Sequence, residues 1–291
     1  MFDTNPNLIQ FGPPVATTTA STPSWASKTP AKPTPLILFH DGGGTIFSYY
    51  TLGDLNRPVF GIANPRYESG EPWEGGIPEL ASHYLRFVKE AVPDGGEVIL
   101  GGWSLGGLVA IEIANHLATN EEAIKDNQLR VIGLVMIDSV CPLKGKSPPP
   151  PVVKHVVQWA DHTKEETKAR VLRCFENAVY MVDEQWTPPP WERKMPDGDV
   201  REVYPPPVVL LKATEDVPVV DAGIAKIDIY RKDPRLGWDN YQRGLITRVI
   251  PIPGNHYNIF HTEETQQAAT EAIKQACKEV EDINKSRKLF G

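Results

Sequence analysis

The segment VILGGWSLG, residues 98–106, is the most informative part of the sequence, because it joins an apolar run directly to the start of a helix-like segment. Residues 98–100 predict a buried strand, and the residues after Ser104 have the composition of a helix. Gly102 and Gly106 flank Ser104 in the pattern Gly-x-Ser-x-Gly. A strand-to-helix turn with this pattern needs small neighbours and raises the serine hydroxyl above the sheet edge. Ser104 is therefore a candidate nucleophile, and a plain glycine-rich turn is the alternative.

Strand-like and helix-like patterns alternate on both sides of this stretch. Predicted strands cover residues 36–40, 59–63, 98–100, 131–137, 208–211 and 249–250. Predicted helices, with apolar residues at helical spacing, cover residues 77–92, 105–117 and 269–280. Strands that are apolar throughout are typical of a parallel sheet with both faces covered. The order of the elements predicts the α/β class, with a mostly parallel, doubly wound sheet.

Composition and charge exclude several classes of protein. The chain has 291 residues, of which 41% are apolar and 23% charged, and this suits a large core rather than general disorder. Its net charge of −7 argues against a nucleic-acid binder, since phosphate contacts need clustered basic residues. Cys141, Cys174 and Cys277 are too far apart for a zinc site or a disulfide framework. Because the chain has no signal-peptide pattern and no long apolar stretch, we expect a soluble, cytoplasmic protein.

The 28 prolines cluster in two places and divide the chain. Seven lie in residues 1–35, a stretch that is also rich in Thr, Ser and Ala, and twelve lie in residues 139–207. We expect residues 1–34 to form an extended arm and residues 35–291 to form one domain. The second cluster interrupts the alternation of strands and helices, so residues from about 139 to 207 are predicted to be an insertion.

A serine nucleophile needs a general base, and the order of residues along the chain selects among the seven histidines. In folds with this elbow the base lies on the loop after the last strand. His256 follows the predicted strand at 249–250 and is the candidate, while His261, beside the next helix, is the lesser one. His40 ends a strand near the site and is expected to shape the pocket.

Two aspartates are candidates for the acid that orients the histidine. Asp138 directly follows the strand at 131–137, and Asp216 follows the strand at 208–211. Each lies at the carboxyl end of a strand, where parallel sheets build their sites. The pattern alone does not choose between them, and the simpler role for either is to cap a helix or a turn.

An acyl-transfer site of this kind also needs two backbone N–H groups that bind the developing oxyanion. One is expected from Leu105, directly after the nucleophile and in the first turn of the helix. The other is expected from Gly42 or Gly43, in the glycine run that follows the strand at 36–40. Glycines at these positions allow the backbone to approach a carbonyl oxygen closely.

Four segments together resemble one enzyme family. They are FHDGGG at 39–44, GGWSLGG at 101–107, MIDS at 136–139 and GNH at 254–256. They are similar to the thioesterase family, and more narrowly to the releasing domains of fungal polyketide and nonribosomal peptide synthases. The resemblance runs from about Pro35 to the last helix. It implies an α/β-hydrolase fold with a helical lid inserted after the strand that ends at Asp138.

The resemblance also implies roles for the site residues. Ser104 is the acyl acceptor, His256 the base and Asp138 the acid, and Asp216 becomes the lesser alternative. The acyl chain would arrive as a thioester on the phosphopantetheine arm of a partner protein, and water or an internal nucleophile would release it. No metal or organic cofactor is implied for this chain itself. One or two amphipathic lid helices are expected from the apolar residues Val156, Ala160, Val171, Phe175 and Val182.

Members of this family are usually fused behind a carrier protein, whereas this chain begins at Met1 and shows no carrier sequence. We therefore expect a free-standing enzyme that meets an acyl or peptidyl carrier protein in trans, with no nucleic-acid or membrane partner. Carriers are typically acidic, so a chain of net charge −7 needs a local basic patch. The simpler explanation for basic residues in this segment is that they form solvated helix faces and bind no partner. The candidates for the patch are Lys144, Lys146, Lys154, Lys164, Lys168, Arg170 and Arg173.

Two other functions fit the same residues. An esterase or lipase that acts on free oxygen esters would share every catalytic residue. A binding protein that keeps the hydrolase fold without catalysis is the alternative from another class. Every residue type that catalysis requires is present, which favours an enzyme.

Overall fold

The computed structural model describes residues 4–13, 33–126, 128–143, 151–153, 159, 163–220 and 222–290. The strands are β1 (Asn7–Phe11), β2 (Leu36–Phe39), β3 (Pro58–Ile62), β4 (Gly96–Trp103), β5 (Leu129–Ile137), β6 (Val152–Val153), β7 (Glu192–Lys194), β8 (Val200–Glu202), β9 (Val208–Ala213), β10 (Ile224–Ala225) and β11 (Ile246–Ile252). The α-helices are α1 (Gly76–Ala91), α2 (Leu105–Thr119), α3 (Glu121–Asp126), α4 (Glu165–Tyr180) and α5 (Glu263–Phe290).

Seven strands form the central sheet, in the order β1-β3-β2-β4-β5-β9-β11. All neighbouring pairs are parallel except β1 and β3, which are antiparallel. The six parallel strands are the six that the apolar runs predict: β4, β5, β9 and β11 are longer than predicted, and β2 and β3 differ from the prediction by one residue. The expectation of a mostly parallel α/β sheet is therefore confirmed.

The sheet separates two apolar cores, because successive side chains of a strand point to opposite faces. Ile37 and Phe39 pack in a core with α1 and α2, whereas Leu36 and Leu38 pack in a second core with α5. All four side chains are fully buried. Helices on both faces explain why these strands carry apolar residues throughout instead of alternating with polar ones.

Strand β1 differs from the sequence prediction, which placed residues 1–34 in an unpacked arm. Asn7–Phe11 pairs with β3 and forms the edge of the sheet. Two amide side chains reinforce this edge: Asn5 bonds both backbone groups of Ala63, at 2.9 and 3.0 Å, and Gln10 accepts the N–H of Leu55 at 2.8 Å. The Thr- and Pro-rich composition belongs to residues further along, and residues 14–32 lie outside the described part of the chain.

The insertion between β5 and β9 contains β6, α4, a π-helical turn at Met181–Gln185 and the antiparallel pair β7–β8. Val171 and Phe175 lie in α4, and Val182 lies in the π-helical turn. Val156 and Ala160 fall outside the described residues. The described part of the insertion thus contributes one long helix, which packs near the carboxyl ends of the parallel strands.

Candidate active site

Ser104 lies in a sharp turn between β4 and α2. Its backbone is in a left-handed conformation, with φ 55° and ψ −115°, which a non-glycine residue rarely adopts. The flanking glycines make this turn possible: a Cβ at Gly102 would lie 2.7 Å from the carbonyl oxygen of Phe39, and one at Gly106 would collide with the same atom. A strained serine held between two close-packed glycines is the arrangement that the sequence pattern predicts.

Ser104, His256 and Asp138 form one hydrogen-bonded row. His256 Nε2 lies 3.1 Å from Ser104 Oγ, and His256 Nδ1 lies 2.8 Å from Asp138 Oδ2. His256 is on the loop between β11 and α5, and Asp138 directly follows β5. A base within reach of the nucleophile, with an acid on its other nitrogen, can activate the serine hydroxyl.

The structure brings Asp138 to His256 and leaves Asp216 on an exposed turn after β9. Asp138 is fully buried, at 0% exposure, and has a left-handed backbone with φ 47°. Its Oδ1 accepts the backbone N–H of Ala213 at 2.9 Å. Burial alone would raise the pKa of Asp138, but hydrogen bonds from His256 and Arg231, together with their charges, hold that pKa well below its usual value.

Arg231 is a site residue that sequence reasoning missed. Its guanidinium forms a two-point contact with Asp138, at 2.6 Å from Nη1 to Oδ1 and 2.7 Å from Nη2 to Oδ2. Arg231 Nε bonds Asp228 Oδ1 at 2.9 Å, and Asp228 Oδ2 accepts the N–H of Val217 at 2.6 Å. The side chains of Arg231 and Asp228 are buried. They lie in a loop-rich part of the chain that contains no recognisable sequence motif. Asp138, Arg231 and Asp228 are called the rear ion-pair row below.

The glycine run after β2 lies beside the elbow and is braced by Asp41. The N–H of Gly43 bonds Asp41 Oδ1 at 3.1 Å, and the N–H of Gly44 bonds the Asp41 carbonyl at 3.1 Å. Tyr49 links this region to the elbow, since its hydroxyl donates to the Phe39 carbonyl at 2.6 Å and accepts the N–H of Trp103 at 2.9 Å. The N–H of Gly43 is thus already engaged, which leaves Gly42 as the better of the two predicted donors.

Two titratable groups at this loop have strongly altered proton affinities. Burial raises the pKa of Asp41 to about 7, against the lowering effect of backbone N–H groups around its carboxylate. Burial lowers the pKa of His40 to about 4. His40 Nε2 lies 2.6 Å from the Tyr84 hydroxyl. His40 is therefore a neutral, buried residue at pH 7.

Helix α4 of the insertion packs directly on the glycine run. A Cβ added to Gly42 would lie 2.9 Å from the ring of Phe175, and one added to Gly43 would lie 3.4 Å from Val171. At Gly44 the neighbour is the sulfur of Cys174, at 3.0 Å. The insertion thus covers the loop that is predicted to bind the oxyanion.

The described basic residues of α4 are engaged with nearby acidic or carbonyl groups. Lys168 pairs with Glu165 at 2.7 Å and Arg170 with Glu68 at 3.0 Å. Arg173 Nη2 donates to the Glu68 carbonyl at 3.3 Å. The predicted candidates Lys144, Lys146 and Lys154 lie outside the described residues. The basic side chains of α4 are therefore engaged with neighbouring groups, whereas the predicted candidate Lys164, directly before α4, is exposed.

Metal and disulfide chemistry find no support among the residues that the structure describes. No group of three or more His, Cys, Asp or Glu side chains there is placed to hold a metal ion. Cys141, Cys174 and Cys277 are free and buried. Over the same residues, no helix has both the length and the apolar character needed to cross a membrane.

Comparison with known proteins identifies relatives of this architecture. Residues 34–148 match the family described as "Thioesterase domain". The chain is 35% identical over 251 residues to "Thioesterase AMT4" of Alternaria alternata, covering 86% of this chain and 87% of that protein. It is 31% identical over 283 residues to "Nonribosomal peptide synthetase imqB" of Aspergillus flavus, covering 88% of this chain but 8% of that protein.

Solved structures share the fold. The crystal structure of the NocB thioesterase domain bound covalently to a fluorophosphonate nocardicin G analogue superimposes with a TM-score of 0.57. It is 23% identical and covers 84% of this chain and 94% of the NocB domain. The elbow at Ser104, the parallel sheet and the match of 86% of this chain to a fungal thioesterase agree with the resemblance read from the sequence. The chain belongs to the thioesterase family, with the α/β-hydrolase fold.

Proposed function

We propose that this thioesterase releases an acyl or peptidyl chain from a carrier-protein thioester through an acyl-enzyme on Ser104. The observation that carries the proposal is the hydrogen-bonded row of Ser104, His256 and Asp138, with distances of 3.1 and 2.8 Å. The roles of nucleophile, base and acid depend on the contacts within this row, and the binding of the oxyanion depends on the glycine run beside it.

In the first step Ser104 Oγ attacks the thioester carbonyl while His256 Nε2 takes the hydroxyl proton. The carbonyl oxygen becomes an oxyanion, which the N–H groups of Leu105 and Gly42 stabilise. Leu105 opens α2, so its N–H also benefits from the positive end of the helix dipole. The tetrahedral intermediate collapses when the C–S bond breaks, and His256 returns the proton to the departing thiolate.

In the second step a new nucleophile attacks the acyl-Ser104 ester. Water gives hydrolysis, whereas a hydroxyl, amine or carbanion within the acyl chain gives cyclisation. In either case His256 accepts the proton that the attacking water, hydroxyl, amine or acidic C–H group loses, and it returns this proton to Ser104 Oγ as the ester bond breaks. Asp138 keeps its charge throughout and stabilises the imidazolium that forms in each step.

The proposed partner is an acyl or peptidyl carrier protein of a polyketide or nonribosomal peptide synthase, encountered in trans. The match to a small part of imqB supports this class of partner, because the related segment there belongs to a nonribosomal peptide synthetase. The phosphopantetheine then belongs to the partner, and this chain needs no cofactor of its own. We also propose a cytoplasmic location, in which such a carrier would be met.

Helix α4 is proposed to act as the lid. Its Phe175 lies against Gly42 and its Val171 against Gly43, next to the proposed oxyanion site. On this proposal an acyl chain bound at Ser104 passes beside them. The apolar face that α4 turns toward the site suits an apolar acyl chain and limits the access of water. On this proposal the insertion decides which chain enters and whether hydrolysis competes with cyclisation.

The test is mass spectrometry of products released from a panel of carrier proteins loaded with different acyl chains. We expect release from at least one loaded carrier by the wild-type chain and none above background by Ser104→Ala. Matched oxygen esters of the same acyl chains separate the proposal from the esterase alternative. Faster cleavage of the oxygen esters than of every carrier thioester would favour a free-ester hydrolase, and no Ser104-dependent cleavage of either would favour a binding protein.

A further inference from the structure

The acid of the proposed triad does not stand alone behind His256. Asp138 shares its two oxygens between His256 and the guanidinium of Arg231, and Arg231 in turn contacts Asp228. We infer that Arg231 and Asp228 are positioning residues that set the proton affinity of His256 through Asp138. This inference rests on the proposed function and deepens it.

The geometry leaves Asp138 little freedom. Its Oδ1 accepts from Arg231 Nη1 and from the N–H of Ala213, and its Oδ2 accepts from Arg231 Nη2 and from His256. Arg231 Nη1 also donates to the Ala213 carbonyl at 3.1 Å. A planar guanidinium in a two-point contact fixes both the position and the plane of a carboxylate. The carboxylate therefore meets His256 Nδ1 in one orientation.

The charges in the row explain why two acidic residues are needed. Asp138 paired with Arg231 alone would present a net charge of zero to His256, and the imidazolium formed during catalysis would lose much of its stabilisation. Asp228 restores a net charge of −1 behind the imidazole, the same as that of a lone aspartate. Because the side chains of Asp138, Arg231 and Asp228 are only 0%, 5% and 1% exposed, water does little to screen these charges.

Other titratable groups lie around the row. They are Lys212 at the end of β9, Asp216 and Asp233 on the neighbouring loops, Tyr257 beside His256, and Asp41 on the glycine loop. Burial raises the pKa of Tyr257 to about 12, so it is neutral at pH 7. Burial and the positive charge of Arg231 lower the pKa of Lys212, and Lys212 Nζ donates to the Asp233 carbonyl at 2.9 Å. Arg231 Nε bonds Asp228 Oδ1, which belongs to the row itself.

The test uses the rate of inactivation by a fluorophosphonate as a function of pH, which requires no knowledge of the natural acyl chain. Ser104 Oγ attacks phosphorus, fluoride leaves, and His256 takes the serine proton. The rate therefore rises with pH as His256 becomes neutral. Asp228→Asn keeps the size of the side chain and an acceptor for Val217, but it removes the second negative charge.

We expect the acid limb of the Asp228→Asn profile to move down by about one pH unit, with a rate at its plateau about threefold lower. The double variant Arg231→Met/Asp228→Asn again leaves a charge of −1 behind His256, so its acid limb should return to the wild-type position. If Arg231 and Asp228 only support the fold, the double variant should be inactivated more slowly than Asp228→Asn. Its acid limb should then not return to the wild-type position. Arg235→Met/Asp239→Asn removes an exposed ion pair of the same composition and is the matched control.

The outcomes separate this inference from the proposed function. Labelling that persists in Ser104→Ala would overturn the proposed function itself. Ser104-dependent labelling with acid limbs that coincide in the wild type and Asp228→Asn would overturn only the role of the row. Circular dichroism checks that the double variant is folded. If it is folded and its acid limb coincides with that of Asp228→Asn, the net charge behind His256 does not set the position of the acid limb, and the inference is wrong.

Discussion

The two sides of Ser104 are built from different interactions. Behind His256, the rear ion-pair row is buried, and its polar atoms are paired by charged hydrogen bonds. In front, the glycine run is held by a single carboxylate and covered by van der Waals contacts from α4. On the proposed mechanism, the chemistry depends on groups whose loss leaves a buried charge unpaired, whereas access of the substrate depends on packing that another side chain can replace.

The two sides of Ser104 also differ in solvent exposure. Asp138 is completely buried, but α4 leaves Leu172, Val179 and Tyr180 exposed by 43%, 49% and 59%. Because α4 leaves apolar side chains exposed on its outer face, a movement of this helix breaks fewer packing contacts than a movement of a fully buried element would. We therefore expect changes at the rear to reduce the reaction rate and changes at the front to alter substrate fit.

The largest expected effect is at the rear. Asp138→Asn removes the charge that stabilises the imidazolium and presents an amide where His256 needs an acceptor, so kcat should fall by about 10³-fold or more. Asp216→Asn, on the exposed turn, should retain near-normal turnover. Steady-state hydrolysis of an acyl thioester by both variants measures the difference. Collapse of activity in Asp216→Asn with near-normal turnover in Asp138→Asn would reverse the assignment of the acid.

An intermediate effect is expected at the front. Gly42→Ala places a Cβ 2.9 Å from the ring of Phe175, so either α4 or the oxyanion loop must move, and we expect kcat to fall by about tenfold. Adding Phe175→Ala makes room for the methyl group and should recover part of the loss. Thioester hydrolysis by the single and double variants tests the contact. Equal losses in Gly42→Ala and the double variant would show that packing against α4 is not the cause.

The smallest expected effect concerns stability and pH. Because burial raises the pKa of Asp41 to about 7 from 3.8, the folded chain holds a proton that the unfolded chain has lost between those values. The contribution of Asp41 to the free energy of unfolding therefore falls as pH rises through that interval. Asp41→Asn, which keeps an acceptor for Gly43, should gain stability relative to wild type from pH 4 to pH 7. Urea unfolding of both proteins at several pH values checks this, and a constant difference would contradict it.

Local patterns were sufficient to predict most of the fold. The apolar runs identify six parallel strands, and Gly102 and Gly106 identify the elbow, because a tight turn needs glycine at those neighbouring positions. The edge strand β1 was missed because its few residues adjoin a long Thr- and Pro-rich stretch, and because amide side chains of Asn5 and Gln10 help to hold it. Such tertiary hydrogen bonds have no signature in composition.

The candidate site was predictable only in part, for the same reason. The order of elements identifies Ser104 and His256, but both aspartates follow strands, and the residue pattern alone does not distinguish them. The choice depends on which strand end faces His256, and therefore on the three-dimensional packing of loops. Arg231 lies 93 positions after Asp138, and nothing near it in the chain signals a buried charge. Gly43 was predicted equally with Gly42 because the bond to Asp41 is visible only in the structure.

The most direct test of the central claim is to trap the acyl-enzyme. The chain is mixed with a carrier protein bearing an acyl thioester, quenched in acid within the first turnover, digested and analysed by mass spectrometry. We predict that the mass of the acyl group appears on the peptide that contains Ser104 and is absent from Ser104→Ala. An acyl group on another residue, or release by Ser104→Ala at the wild-type rate, would contradict the account.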